Sequence, residues 1–118
     1  MGEDCLFCRI ASGETSGTRL HEDDLVVAFD IPAGHPEKKA PVHFLVIPKE
    51  HIASVREAGA QHEPVLGRMM TTAARMAEEM GIGESGFRVV MNAGPDANQT
   101  VFHMHLHGLG GRRLGPTG

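Results

Sequence analysis

The stretch from Val101 to Leu109 alternates apolar residues with histidines at positions 103, 105 and 107. A period of two belongs to a β-strand, so the three imidazoles fall on one face and Phe102, Met104 and Leu106 on the other, where a helix would scatter them. Alternate Cα atoms on one face lie roughly 6.6–7 Å apart, so neighbouring rings can share one small ligand. An imidazole titrates near 6.5 and therefore offers a neutral, nucleophilic nitrogen close to neutral pH. Three uses of such a row are open: polar residues on a solvated face, ligands of a three-histidine metal centre, or a nucleophilic site in which one ring attacks while its neighbours orient it and protonate the leaving group. Solvated faces usually mix Thr, Lys and Glu, and no nearby carboxylate supports a catalytic metal.

The rest of the chain supplies elements around that strand. Leu6 to Ala11 suits one or two helical turns, stopped by Ser12-Gly13. Thr18 to His21 and Leu25 to Asp30 read as a hairpin about the acidic turn Glu22-Asp23-Asp24, and Ile31 to Pro41, with three prolines, as an exposed irregular loop. His43 to Ile47 is a buried strand ended by Pro48. From Glu63 to Met80, Leu66, Met69, Ala73, Met76 and Met80 recur at three- and four-residue steps, which predicts a helix opened by Pro64 and closed by Gly81. Phe87 to Asn92 and Val101 to Leu109 are two further strands, joined by the polar loop Ala93 to Thr100. Strands, a long helix and more strands predict an α+β domain: an antiparallel sheet of about five strands, the long helix packed on it, and a short N-terminal helix. With 118 residues, the whole of 1–118 is expected to be one domain around a single core.

A net charge of −4 with scattered basic residues leaves no electrostatic footprint for a long nucleic acid, although a small anionic ligand needs only local donors. The start MGEDCLFCRI has no secretory pattern and no stretch is long enough for a membrane span, so a cytosolic protein is expected. The only cysteines, Cys5 and Cys8, have the spacing of half a tetrahedral zinc site, which needs two more ligands; free thiols or a redox pair are the rivals. His21, His35 and His62 have no motif partner and read as solvated surface residues, as do the charges of Lys38-Lys39, Arg112 and Arg113.

His103-Met104-His105-Leu106-His107-Gly108-Leu109 resembles the H-φ-H-φ-H-φ-φ motif of the histidine triad superfamily, nucleotide-binding branch, in the bacterial type with a CxxC pair. Cys5 to Ile10, Ala28 to Ile31, Pro41 to His51, Val90-Met91-Asn92 and Gly110-Gly111-Arg112 stand in that family's order, so the likeness spans nearly the whole chain. It implies hydrolysis of purine nucleoside phosphoramidates or related nucleotide conjugates through a nucleotidyl-histidine, with no catalytic metal. By the same resemblance His105 attacks the α-phosphorus, His107 contacts phosphate and assists the leaving group, and His43 completes the polar network. Asn92, Gln99 and Thr100 stand at the phosphate and ribose, Leu6, Phe7, Ile10, Phe29 and Ile31 wall the base and sugar, and Asp30 takes the ribose hydroxyls. His51 and His103 would join Cys5 and Cys8 around a structural zinc, and two chains would form a homodimer whose sheets join. A nucleotidyltransferase or dinucleotide phosphorylase, and a non-enzymatic nucleotide- or zinc-binding adaptor, are the other classes compatible with these residues. The chain departs from the pattern in four places: Phe29 and Asp30 are adjacent, the segment Ile31 to Pro41 is several residues longer, Asn98 stands where Gly is common, and Gly108 replaces a branched residue.

Overall fold

A computed structural model describes residues 5–13 and 18–117; the first four residues of MGEDCLFCRI lie outside it. Five strands, β1 (Arg19–Glu22), β2 (Val26–Asp30), β3 (Val42–Pro48), β4 (Phe87–Val90) and β5 (Leu106–Gly110), form one antiparallel sheet in the order β1-β2-β3-β5-β4. Two helices, α1 (Leu6–Ser12) and α2 (Glu63–Glu79), cover its opposite faces.

Both central strands are nearly continuous in apolar residues because each of their faces has a cover. Val26 and Ala28 of β2, with Phe44 and Val46 of β3, meet α2 through Val65, Met69, Ala73, Met76 and Ala77. Val27 and Phe29, with Leu45 and Ile47, meet Phe7 and Ala11 of α1 on the other face. The α2 stripe follows the expected spacing, with Leu66 and Met80 at its margins and Thr72 buried inside it. Gly81 ends the helix at φ 81°, a left-handed conformation that costs glycine nothing, and the N–H of Ile82 reaches back to Ala77 O at 2.9 Å.

One strand is shorter than its sequence pattern. Pairing begins at Leu106, and residues 101–105 run irregularly although Val101 to Leu109 alternates throughout. The backbone groups there are bonded elsewhere: Gln99 Nε2 donates to Val101 O, the N–H of Met104 donates to Ile52 O, and His103 O accepts the ring of His105. Two histidines expected to be solvated are instead half-buried. His21 lies between Asp23 (2.8 Å) and Arg75 (2.7 Å), while Asp23 also accepts the N–H groups of Leu25 and Val26 and pairs with Arg68, tying the hairpin turn to α2. His62 accepts the N–H of Gly59 and pairs with Glu50; His35 is exposed.

Gly108 is a packing requirement, because a Cβ there would overlap the ring of Phe44 behind it. Gly108→Val is expected to cost about 1–3 kcal/mol by overpacking. Combining it with Phe44→Ala should destabilise less than the two single costs added, since the ring it strikes is then gone. Additive melting shifts would contradict that contact.

Candidate active site and the adjoining metal-ligand group

On the sheet face opposite α2, alternation points His43 of β3, His107 and Leu109 of β5, and Arg88 and Val90 of β4 away from the α2 core and into an open cavity of about 600 Å³. His105, just before β5, closes one side. Asn92 and Thr100 stand on the wall formed by the connection after β4, although neither ends a strand: β4 stops at Val90 and β5 starts at Leu106. Asn98, in the same connection, adopts φ 66° and ψ 33°, a left-handed conformation that asparagine tolerates better than most side chains.

The histidines divide between two jobs. His105 and His107 are ring neighbours at 5.0 Å between centroids, and His43 Nε2 lies 2.9 Å from His107 Nδ1. His105 Nδ1 lies 2.8 Å from His103 O; a carbonyl can only accept, so Nδ1 carries the proton and Nε2 keeps the free lone pair in the neutral ring. His103 turns to the other side. Its Nε2–H donates to Pro48 O at 2.8 Å, leaving the Nδ1 lone pair among Cys5 Sγ (3.4 Å), Cys8 Sγ (3.3 Å) and His51 Nδ1 (3.2 Å).

These four donors lie within 4.8 Å of one another. A tetrahedron around zinc, with Zn–S about 2.3 Å and Zn–N about 2.0–2.1 Å, has edges of roughly 3.3–3.8 Å, and the separations of 3.1–3.4 Å that link Cys5 and Cys8 to His103, Cys8 to His51 and His51 to His103 lie close to those edges. Burial, reinforced by the Cys5 thiol, pushes the Cys8 thiol up to about 11, so a thiolate pair here calls for a compensating charge. The group also adjoins the ring of His105. Phe7, flanked by Cys5 and Cys8, meets His103 at 6.1 Å and His105 at 5.0 Å, edge-on in both cases.

Burial lowers the pKa of His43, His105 and His107, and His107, further disfavoured as a cation by His105 and His43, falls to about 4. Unfolded, the same rings titrate near 6.5. Between those values the unfolded chain binds more protons than the folded one, so stability is full above about pH 6.5 and drains away as the pH falls toward 4. The urea midpoint should accordingly be lower at pH 5 than at pH 7; equal midpoints would mean the rings are already charged in the fold.

The other site residues read from the sequence lie apart from the cavity. Phe7, Phe29 and Ile31 are buried in the α1 cluster, Ile10 packs against it half-buried, and Leu6 is exposed. Asp30 does not line the cavity, and its buried Oδ1 has no hydrogen-bond partner among the described residues. Gln99 is buried with its amide engaged, accepting from Gly94 N and donating to Ala53 O and Val101 O. Sequence reasoning missed Glu37 and Lys39 on one wall, which sit in a loop read as merely solvated, and Pro116 and Thr117, whose tail is held by Arg88 Nη2 on Gly115 O at 2.6 Å. Only Arg88 and Val90 left a signal, the alternation of β4.

A small antiparallel α+β protein with neutral histidines on an open sheet face, and a Cys₂His₂ group sharing one histidine segment with them, defines a compact histidine-based site. Comparison with known proteins makes this specific. The family model described as scavenger mRNA decapping enzyme C-term binding matches residues 4–115. The purine nucleoside phosphoramidase of Escherichia coli K12 is 44% identical over 98% of this chain and 94% of its own length. The structure of an HIT family hydrolase from Clostridium thermocellum aligns with TM-score 0.89 at 43% identity, covering 98% of this chain and 96% of that one. A Zn-bound histidine triad family protein from Mycobacterium smegmatis aligns with TM-score 0.77 at 30% identity, covering 95% and 78%. The chain belongs to the histidine triad family.

Proposed function

We propose that this protein hydrolyses purine nucleoside phosphoramidates or closely related nucleotide conjugates. The observation that carries the reading is the lone pair on His105 Nε2, held in place by the Nδ1–H bond to His103 O on a ring that lines the cavity. Nε2 attacks the α-phosphorus, the Nε2–P bond forms as the P–N bond breaks, and the amine leaves with a proton drawn from the open, solvated cavity. Water then splits the Nε2–P bond, giving the nucleoside monophosphate and the original imidazole. The carbonyl of His103 steadies the positive charge the ring gains in the adduct. His107 meets the phosphate beside the nucleophile, and His43 holds His107. The 44% identity to a purine nucleoside phosphoramidase supports the substrate class.

Asn92 and Thr100 on the cavity wall are placed to bind the phosphate and ribose. Phe7 against His105, with Leu6, Ile10, Phe29 and Ile31 of the adjoining apolar cluster, supplies the apolar surface assigned to the base, and Asp30, whose Oδ1 has no partner among the described residues, is assigned to a sugar hydroxyl. Gln99, its amide already engaged, contributes by shaping the loop before Thr100. Cys5, Cys8, His51 and His103 hold a structural zinc that clamps α1 to the sheet. The half-buried outer strand β4 offers a sheet edge through which two chains pair as a homodimer. Among the described residues no helix is long and apolar enough to cross a membrane, and two free cysteines suit a cytosolic protein.

Incubation with adenosine 5′-phosphoramidate, followed by phosphorus NMR, should show AMP as the product. Formation of ADP on adding inorganic phosphate would identify a transferase instead, and absence of any cleavage would overturn the reading.

A further inference from the structure

The bond between His43 and His107 joins two rings, either of which can donate. The backbone N–H of Lys39 settles the direction. It donates to His43 Nδ1 at 3.0 Å, and an amide has no lone pair to offer in return, so this nitrogen is unprotonated. His43 then carries its proton on Nε2 and donates it to His107 Nδ1 at 2.9 Å. His107 in turn keeps its own proton on Nε2, the remaining nitrogen of a ring that lines the cavity.

We propose that Lys39 is a positioning residue: its peptide N–H, delivered by the 31–41 loop, fixes the tautomers of His43 and His107 in series and presents the cavity with a hydrogen-bond donor beside His105. The inference rests on the functional reading above for what that donor meets, a phosphoryl oxygen gaining negative charge as His105 attacks. The opposite order would leave a bare nitrogen facing that oxygen and repelling it. The loop around this amide is anchored by Arg112 Nη2, which donates to Lys39 O at 3.1 Å, and by Lys38 Nζ, which ties the preceding side chain to Ile31 O at 2.9 Å. Burial, with the charge of Lys38 and against that of Glu37, lowers the His43 pKa and so favours the neutral ring that the series requires.

Nitrogen-15 NMR of the histidine-labelled full chain at pH 7, without substrate, should show both His43 and His107 protonated on Nε2. The Lys39 amide should exchange at least about 100-fold more slowly than an open loop amide, and Arg112→Ala should reduce that protection. Lys39→Pro, which deletes the donor, should produce mixed tautomers at both rings and lower kcat about tenfold with KM changed less than about threefold; Lys39→Ala, which keeps the amide, should keep the tautomers. Protonation of His43 on Nδ1 in the unmodified protein, or unchanged tautomers in Lys39→Pro, would overturn the proposal. Should Lys39→Pro fail to fold, the unmodified spectrum decides alone. The expected tautomers in a protein that cleaves no phosphoramidate would sink the functional reading and leave this assignment standing.

Discussion

His105→Asn is expected to lower phosphoramidate turnover at least about 1,000-fold while nucleotide affinity changes less than about threefold. Asparagine can still hydrogen-bond, but it has no lone pair that can form a phosphorus–nitrogen bond. The loss corresponds to about 4 kcal/mol of transition-state stabilisation and falls on kcat, because the covalent step is removed rather than the cavity. Nucleotide affinity follows from equilibrium titration with AMP. A single turnover with labelled substrate should leave label on the unmodified protein after rapid acid-free quenching, and none on the variant. Retention of more than a tenth of the activity would take the nucleophile's role from His105, and the free Nε2 that its bond to His103 O creates would need another explanation.

The second large effect is expected from the metal-ligand group. The purified protein should carry about one zinc per chain, and stripping it, or substituting Cys8→Ser, should lower Tm by at least about 10 °C. The four donors come from three segments distant in sequence: Cys5 and Cys8 at α1, His51 after β3, and His103 before β5. An ion that binds only the folded arrangement stabilises it by about 4 kcal/mol at a thousandfold excess over its dissociation constant. Turnover should fall as well, because Phe7 packs on His105 and the His103 carbonyl fixes that ring's tautomer. Re-addition of zinc should restore both. A metal-free chain that melts unchanged would show that these donors are held by packing alone.

Much of the architecture was legible because strong local patterns and tertiary packing agree. The period of α2 and its Pro64 and Gly81 boundaries needed no partner to be read, and His43 to Ile47 was legible as a buried strand, whereas the cover on both faces of β2 and β3 appears only with α1 and α2 in place. The histidine run was legible in kind but not in extent. Alternation from 101 to 109 predicts one strand with three rings in a row, and only His105 and His107 share the cavity. Local pattern cannot register that Gln99, Ile52 and His105 claim the backbone groups of 101–104 before a neighbouring strand can. The same blindness applies to Gly108, whose reason lies across the sheet layer in the ring of Phe44.

The order of residues by itself determined which chemistry was available: three imidazoles at alternate positions, a cysteine pair three apart, and a helix with one apolar face. Only tertiary structure decided which histidine serves which task, for that depends on the partner each ring nitrogen finds. Pro48 O and the thiols draw His103 to the cysteine side, His103 O gives His105 its free nitrogen, and the Lys39 amide sets the order of protons through His43 to His107. A proton on an imidazole sits where a neighbour can accept it, and the neighbours here lie as far apart in the chain as Pro48 from His103 and Lys39 from His107.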